Sequence, residues 1–307
     1  MSAFLHGFGC ALPERVVSND ELAGRLGCTS EWIESVCGIR ERRWASAEQG
    51  VVELGAAAAE DCLSRTGVPA SQIGMLILAS GSARPGFPAP GAELAHRLGL
   101  GTTPVLDLPM ASAGGLFGMV LASRLAETYG DILVVASEKM SAVIEAHPLD
   151  QNSAILFGDG AGAALVSSRP GGREILQSAI HSDGQFRNDL AYDTASALKM
   201  NGLTVIMQAT RKLPAVIREV LDRAKLTPAD IGTFLVHQAN QNLLTRVAKS
   251  LDVPADRVFS NIARYGNTSS ASLLIAAAEW DRQDPPPGPA VFAAFGAGLH
   301  WGALLAR

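Results

Sequence analysis

The feature that most constrains this chain is that it repeats itself. The segment "ASQIGMLILASGS" (70–82) resembles "PADIGTFLVHQAN" (228–240), and each follows an Ala-containing helical stretch ending near "RTGV" or "RAKL". "DGAGAALVSS" (159–168) is matched in the same way by "FGAGLHWGALLAR" (295–307), and the helical stretch opening at Ser112 by the one after "YGNTSSASLLIAAAE" (265–279). The paired segments lie roughly 135 to 160 positions apart, so the chain reads as a duplication of one unit. In the first unit the apolar, β-rich runs 73–80, 103–108, 131–137 and 161–168 alternate with Ala-rich helical stretches. That is the pattern of an α/β fold with a largely buried sheet. Two such halves, 1–168 and 169–307, pack pseudo-symmetrically, and a site between them collects residues from corresponding strand and helix ends. No low-complexity linker separates them, so one compact body is expected. The segments 181–199 and 281–290, the latter "DRQDPPPGPA", are expected to be mobile.

Composition narrows the function classes. With 307 residues, 48% hydrophobic and 18% charged, the chain can bury a large core. Its net charge of -5, with no basic run and no basic-aromatic stripe, argues against a nucleic-acid partner. The apolar runs are shorter than a membrane span, and the N-terminal stretch lacks the basic flank and cleavage site of a signal peptide. The expectation is a cytoplasmic protein with no membrane partner. Cys10, Cys28, Cys37 and Cys62 are scattered without a CxxC pair, which points to reduced thiols used as small apolar residues and to no metal site.

Three loop motifs sit where an apolar strand ends or a helix begins, the place where ligands bind in sheets of this kind. They are Ser112 in "MASAGG", His237 in "LVHQAN" and Asn267 in "RYGNTSS". Together with the Gly-rich turn "FGAG" (295–298) they supply a nucleophile, a base, an amide donor and exposed backbone N–H groups, the inventory of acyl transfer. Each residue also has a plain structural reading. Ser112 is equally a helix N-cap, His237 a satisfied strand-end histidine and Asn267 a turn residue, and spacing alone does not choose.

Motif identity does choose. "LPERVVSNDELAGRLGCTSEWIESVCGIRERRWA" (12–45), "LFGDGAGA" (156–163), "HSDG" (181–184), "MNG" (200–202), "HQAN" (237–240), "YGNTSSAS" (265–272) and "FGAGLHWGA" (295–303) occur in the order found in the β-ketoacyl-ACP synthase III family of the thiolase fold. The chain resembles that family nearly end to end. The resemblance implies a duplicated five-layered α-β-α-β-α sandwich, a homodimer, and a tunnel for the pantetheine arm of acyl-CoA or acyl carrier protein. It implies no separate cofactor.

The family's catalytic triad is Cys-His-Asn. His and Asn match as His237 and Asn267, whereas Ser112 stands where the cysteine belongs. Pro109, Met110 and "AGG" (113–115) also depart from the family pattern, so the whole elbow has diverged, which a single engineered change would not produce. A thiol ionises near pH 8.5 and a helix N-terminus brings it lower, but no helix dipole of roughly 0.3–2 kcal/mol ionises an alcohol. Ser112 therefore attacks only if a base takes its proton, and His237 is the candidate base. Asn267 would assist, and the backbone N–H groups of Ser112 and Ala297, matched to the family's oxyanion hole, would stabilise the tetrahedral intermediate.

Other positions qualify the resemblance. The family commonly places Arg near Val36, Gln151 and Asn242 to support the CoA nucleotide or the carrier protein, and all three are uncharged here. The resemblance marks Trp32, Phe87, Asn240 and Gly298 as substrate-binding, Trp32 for stacking an adenine and Phe87 for reaching across the dimer to the acyl pocket. His300 replaces the usual Thr beside the oxyanion turn, and Arg246 with Lys249 offers a small basic face to an acidic carrier. The leading expectation is an acyltransferase or ketosynthase of polyketide or other natural-product biosynthesis that carries an acyl group on Ser112. A malonyl-thioester decarboxylase, a thioesterase-like protein and a non-catalytic partner subunit remain as alternatives.

Overall fold

The computed structural model describes residues 2–193, 195–283 and 285–307; Thr194 and Asp284, which fall in the two segments expected to be mobile, lie outside the described residues. The strands are Phe4–Ala11 (β1), Val16–Ser18 (β2), Glu41–Arg43 (β3), Ile73–Ala79 (β4), Val105–Leu108 (β5), Asp131–Glu138 (β6), Gly160–Ser167 (β7), Arg173–Ser182 (β8), Leu190–Asp193 (β9), Ser196–Met200 (β10), Thr233–Val236 (β11), Val258–Phe259 (β12), Ala290–Gly296 (β13) and His300–Ala306 (β14). Most of β4, β6 and β7 is buried on both faces, which is why these strands read as unbroken apolar runs rather than alternating ones.

The large sheet runs β12-β11-β13-β14-β8-β1-β7-β6-β4-β5. Its two ends carry the same pairing signature. In one, β1–β7 and β7–β6 are antiparallel while β6–β4 and β4–β5 are parallel. In the other, β8–β14 and β14–β13 are antiparallel while β13–β11 and β11–β12 are parallel. The segments that repeat in sequence thus occupy equivalent strands, β4 with β11 and β7 with β14. At the edge where the halves meet, β1 pairs with β8 through Phe4 opposite Glu174 and Leu5 opposite Arg173, and Ile175 N–H donates to the Ala3 carbonyl at 2.8 Å.

What joins the halves is the layer between them. The helices Gly114–Tyr129 and Ser272–Asp281 are apolar nearly all round, and a helix of that kind must be buried on every side. They pack against each other and against both half-sheets in one core with Leu116, Leu274, Val134 and Phe292. Helix Val51–Thr66 covers the outer face of the first half-sheet, and helices Gly202–Ala224 and Gln241–Leu251 cover that of the second. The architecture is the duplicated five-layered sandwich that the sequence led us to expect. The segment 181–199, expected to be a mobile loop, instead contains the hairpin β9–β10, with Met200 opposite Leu190. No described helix is long and apolar enough to cross a membrane.

Glycines set how closely the central layer approaches the sheets. A Cβ at Gly162 of β7 would stand 2.5 Å from the Cβ of Leu274, and one at Gly118 would stand 2.7 Å from a methyl of Val134. Replacing Gly162 by Val is expected to destabilise the chain by about 1–3 kcal/mol through overpacking. The check is the thermal unfolding midpoint, which should fall; an unchanged midpoint would contradict so close a contact.

Candidate active site

Parallel strand β5 delivers the chain to Pro109, and the turn that follows puts Ser112 at φ 62°, the left-handed region that a non-glycine residue adopts at a cost. Helix Gly114–Tyr129 starts two residues later. Ser112 is therefore not the N-cap; Ala113 holds that position. Small residues make room for the turn. A Cβ at Gly296 would come within 2.3 Å of the Ala111 carbonyl, and one at Gly81 within 2.6 Å of the Ala111 side chain. The Gly-rich turn after β13 is thereby pressed against the elbow, as the loop of a reacting centre requires.

His237 follows the last residue of β11, and its N–H donates to the Ala293 carbonyl of β13 at 2.8 Å. The ring is buried, and burial lowers its pKa to about 4, so the imidazole is neutral at physiological pH. Ser272 Oγ lies 2.5 Å from Nδ1 and accepts the Gln238 N–H at 3.1 Å. If the Ser272 hydroxyl donates to Nδ1, that hydroxyl and the Gln238 N–H both have acceptors, and Nε2–H is left without one among the described residues. The opposite tautomer leaves the hydroxyl hydrogen without an acceptor among the described residues.

Asn267 is held by its own backbone, whose N–H donates to the Leu156 carbonyl at 2.8 Å and whose carbonyl accepts from Gly158 N–H at 3.1 Å. Its Oδ1 accepts the Ser269 N–H at 2.9 Å, so the side-chain amide has its N–H groups left to donate. Ser112, His237 and Asn267 all line one narrow cavity of about 100 Å³, otherwise walled by apolar side chains such as Val205, Leu213 and Leu243. A second, larger cavity of about 330 Å³ adjoins it, lined in part by Met110, Val143, Leu198 and Tyr192. Ser112, Phe157 and Leu190 line both, and Ser112 is the one hydroxyl among them. Among the described residues no hydrogen bond joins Ser112 to His237 or Asn267.

The remaining sequence-derived positions divide. Ala297, Gly298 and His300 line the larger cavity, and Asn240 lines the narrow one. The side chain of Asn240 is also the N-cap of helix Gln241–Leu251, with Oδ1 accepting the Asn242 N–H at 2.8 Å and Nδ2 donating to the Val36 carbonyl at 3.1 Å. The Ser112 N–H, expected to contribute to an oxyanion hole, donates instead to Ser269 Oγ at 3.0 Å. Trp32 and Phe87 line neither cavity of the single chain, and Phe87 is 99% exposed. Trp32 lies on the short helix Ser30–Cys37, whose Val36 carbonyl takes the Asn240 and Asn242 amides. His300 Nδ1 pairs with Ser182 Oγ at 2.7 Å, and burial lowers the pKa of its ring.

Sequence reasoning missed Glu138. This carboxylate, fully buried at the end of β6, accepts from Ser80 Oγ, the N–H groups of Gly81 and Ser82, Ser82 Oγ, and both the N–H and Oγ of Ser270, at 2.5–3.2 Å. The available signal was an acidic residue directly after an otherwise apolar strand. Among the described residues no cluster of three or more His, Cys, Asp or Glu could hold a metal ion.

Comparison with known proteins agrees with this geometry. The family model described as 3-oxoacyl-[acyl-carrier-protein (ACP)] synthase III matches residues 106–184, and the model of its C-terminal part matches residues 221–307. The β-ketoacyl-[acyl-carrier-protein] synthase III of Oleidesulfovibrio alaskensis is 32% identical, over 99% of this chain and 98% of its own. The crystal structure of 3-oxoacyl-[acyl-carrier-protein] synthase III from Aquifex aeolicus superposes with a TM-score of 0.95 at 29% identity over 99% of both chains. The priming β-ketosynthase of the R1128 polyketide biosynthetic pathway superposes with a TM-score of 0.92 at 32% identity, over 99% of this chain and 96% of that one. A doubled sandwich with a strained elbow, a histidine and an asparagine converging on one cavity, and relatives matched along their whole length place this chain in the β-ketoacyl-[acyl-carrier-protein] synthase III family of acyltransferase-type enzymes.

Proposed function

We propose that the protein moves an acyl group from the thioester of acyl-CoA or acyl carrier protein to an acceptor, carrying it as an ester on Ser112. The observation that carries this reading is the position of Ser112: a strained elbow hydroxyl where the narrow cavity meets the wider one. An outlying φ at such a junction is a mark of function rather than of packing. The narrow apolar cavity fits the pantetheine arm and the wider one the acyl group. No cofactor beyond the thioester's own pantetheine arm enters the step.

In the proposed step Ser112 Oγ attacks the thioester carbonyl, the C–O bond forms, and the C–S bond breaks as the thiol leaves. In the tautomer whose Nδ1–H donates to Ser272 Oγ, His237 Nε2 takes the hydroxyl proton and passes it to the departing sulfur, so a charged imidazolium never has to persist in its buried site. Asn267 donates to the carbonyl oxygen, and the Ser112 and Ala297 N–H groups complete the donor set once Ser269 Oγ yields its place. An acceptor hydroxyl or amine then attacks the ester carbonyl, His237 Nε2 takes its proton, and that proton passes to Ser112 Oγ as the C–O bond to Ser112 breaks. An oxygen ester is less activated than a thioester, which favours the harder acceptors. The parallel with the R1128 priming ketosynthase supports a place in natural-product biosynthesis, and the fully exposed Phe87 ring supports a homodimer that covers it.

One observation favours a second reading. With the Ser272 hydroxyl donating to Nδ1, His237 keeps a proton on Nε2 and becomes a donor rather than a base. Two neutral donors, His237 and Asn267, suit the enolate formed when a malonyl thioester loses carbon dioxide.

Intact-protein mass spectrometry after incubation with short acyl-CoA and acyl-ACP donors separates the two. A gain of one acyl group that is absent from Ser112→Ala and His237→Ala is expected; release of carbon dioxide from malonyl-ACP without any adduct would replace acyl transfer by decarboxylation. Ser112→Cys should raise acylation at least 10-fold, because a thiolate forms near neutral pH and an alkoxide does not. Stability should also depend on pH through His237. Its folded pKa, about 4, lies below the unfolded value of 6.5, so the unfolded chain binds the proton first. That contribution is complete above about pH 6.5 and falls by on the order of 3 kcal/mol as the pH drops to 4. Denaturant titrations at pH 7 and pH 5 should show the loss in the parent chain and a smaller one in His237→Gln.

A further inference from the structure

The two cavities at Ser112 differ in charge. The narrow one has His237 as its single ionisable lining group, whereas the lining of the wider one includes Arg187, Tyr192 and His300 together with apolar side chains such as Met110, Val143 and Leu198. Arg187 is the only formally charged residue in that lining, and no acidic residue lines it. Its Nη1 donates to the Gly184 carbonyl at 3.3 Å, and no described carboxylate pairs with it. The acids nearest in sequence are used elsewhere. Asp183 pairs with Lys212 at 3.5 Å, Asp189 accepts from Asn201 Nδ2 at 3.0 Å, and Asp193 accepts from Ala195 N–H and Ser196 Oγ.

His300 adds a second polar group to the same wall. Ser182 Oγ engages its Nδ1, and its Nε2 side packs over Gly298, where a Cβ would stand 2.2 Å away. Only a glycine leaves space for the ring beside the turn that faces Ser112. The lining therefore combines apolar side chains with a guanidinium that has no carboxylate partner among the described residues and with the His300 ring.

We propose that the wider cavity selects a short acyl group ending in a carboxylate, a dicarboxylic monothioester such as a malonyl, succinyl or glutaryl unit, with Arg187 pairing the free carboxylate. Arg187 is then a specificity-determining residue and His300 a hydrogen-bonding neighbour of the acyl chain. A guanidinium matches a carboxylate in both charge and planar geometry, and a buried apolar floor alone would not discriminate in favour of one. The inference rests on the acyl-transfer reading for its role in turnover, but its recognition step is separable from that chemistry.

The test measures binding with the nucleophile removed. In Ser112→Ala protein, succinyl-CoA and butyryl-CoA, of equal chain length, are titrated by calorimetry. Succinyl-CoA is expected to bind at least 10-fold more tightly, and the ratio should fall to near unity in Ser112→Ala/Arg187→Leu. It should be partly retained in Ser112→Ala/Arg187→Lys, which keeps the charge and controls for misfolding. Equal affinities in Ser112→Ala, or a preference that survives Arg187→Leu, would overturn the proposal. Because no acyl-enzyme forms in this background, failure of the Ser112 ester would leave the selectivity result standing, and the reverse also holds.

Discussion

The site depends on one buried carboxylate. Glu138 brings a carboxyl group into the centre of the molecule with no salt-bridge partner among the described residues, and such a group is tolerable only where hydrogen bonds replace its water. Six donors do so, drawn from the end of β4 and from Ser270. The two sources belong to different halves of the duplication. Ser270 follows Ser269, which in turn holds the Ser112 N–H and donates its own N–H to Asn267. The carboxylate thus fixes the relative position of the nucleophile elbow and the asparagine turn, which no single sheet could do.

Much of the fold was legible because its signals are local. Strands β4, β6 and β7 announce themselves as apolar runs, and the internal repeat foretells which strands are equivalent. Ser112, His237 and Asn267 were legible as motifs, and the structure brings all three to one cavity. The rest was hidden because it is set by tertiary neighbours. Glu138 looks like any strand-end acid until Ser82 and Ser270 arrive from positions 56 and 132 residues away. Arg187 sits in a stretch that reads as a polar loop, and only the hairpin β9–β10 folds that stretch over the cavity. Trp32 and Phe87 were assigned by likeness to roles that a single chain does not display.

The exchange of sulfur for oxygen at Ser112 changes what the rest of the site must do. A thiolate needs only a field that stabilises it, which a helix N-terminus provides. An alcohol needs a base at the moment of attack, so in the proposed reaction the tautomer of His237, and hence the hydroxyl of Ser272, would belong to the chemistry rather than to the scaffold. Burial keeps the imidazole neutral, which preserves it as a proton acceptor while making its protonated form short-lived.

The narrow contact between β1 and β8 bears on how substrate enters. Two opposed residue pairs would make a weak hinge, but the helices Gly114–Tyr129 and Ser272–Asp281 interlock behind it, so the seam cannot swing. Enzymes that clamp a substrate by domain closure have a clock in that motion. A rigid seam has none, and under the proposed acyl transfer a thioester would enter end-on along the narrow cavity to reach Ser112. The length of that cavity would then act as a ruler, setting which carbon of a pantetheine thioester comes to rest at the elbow.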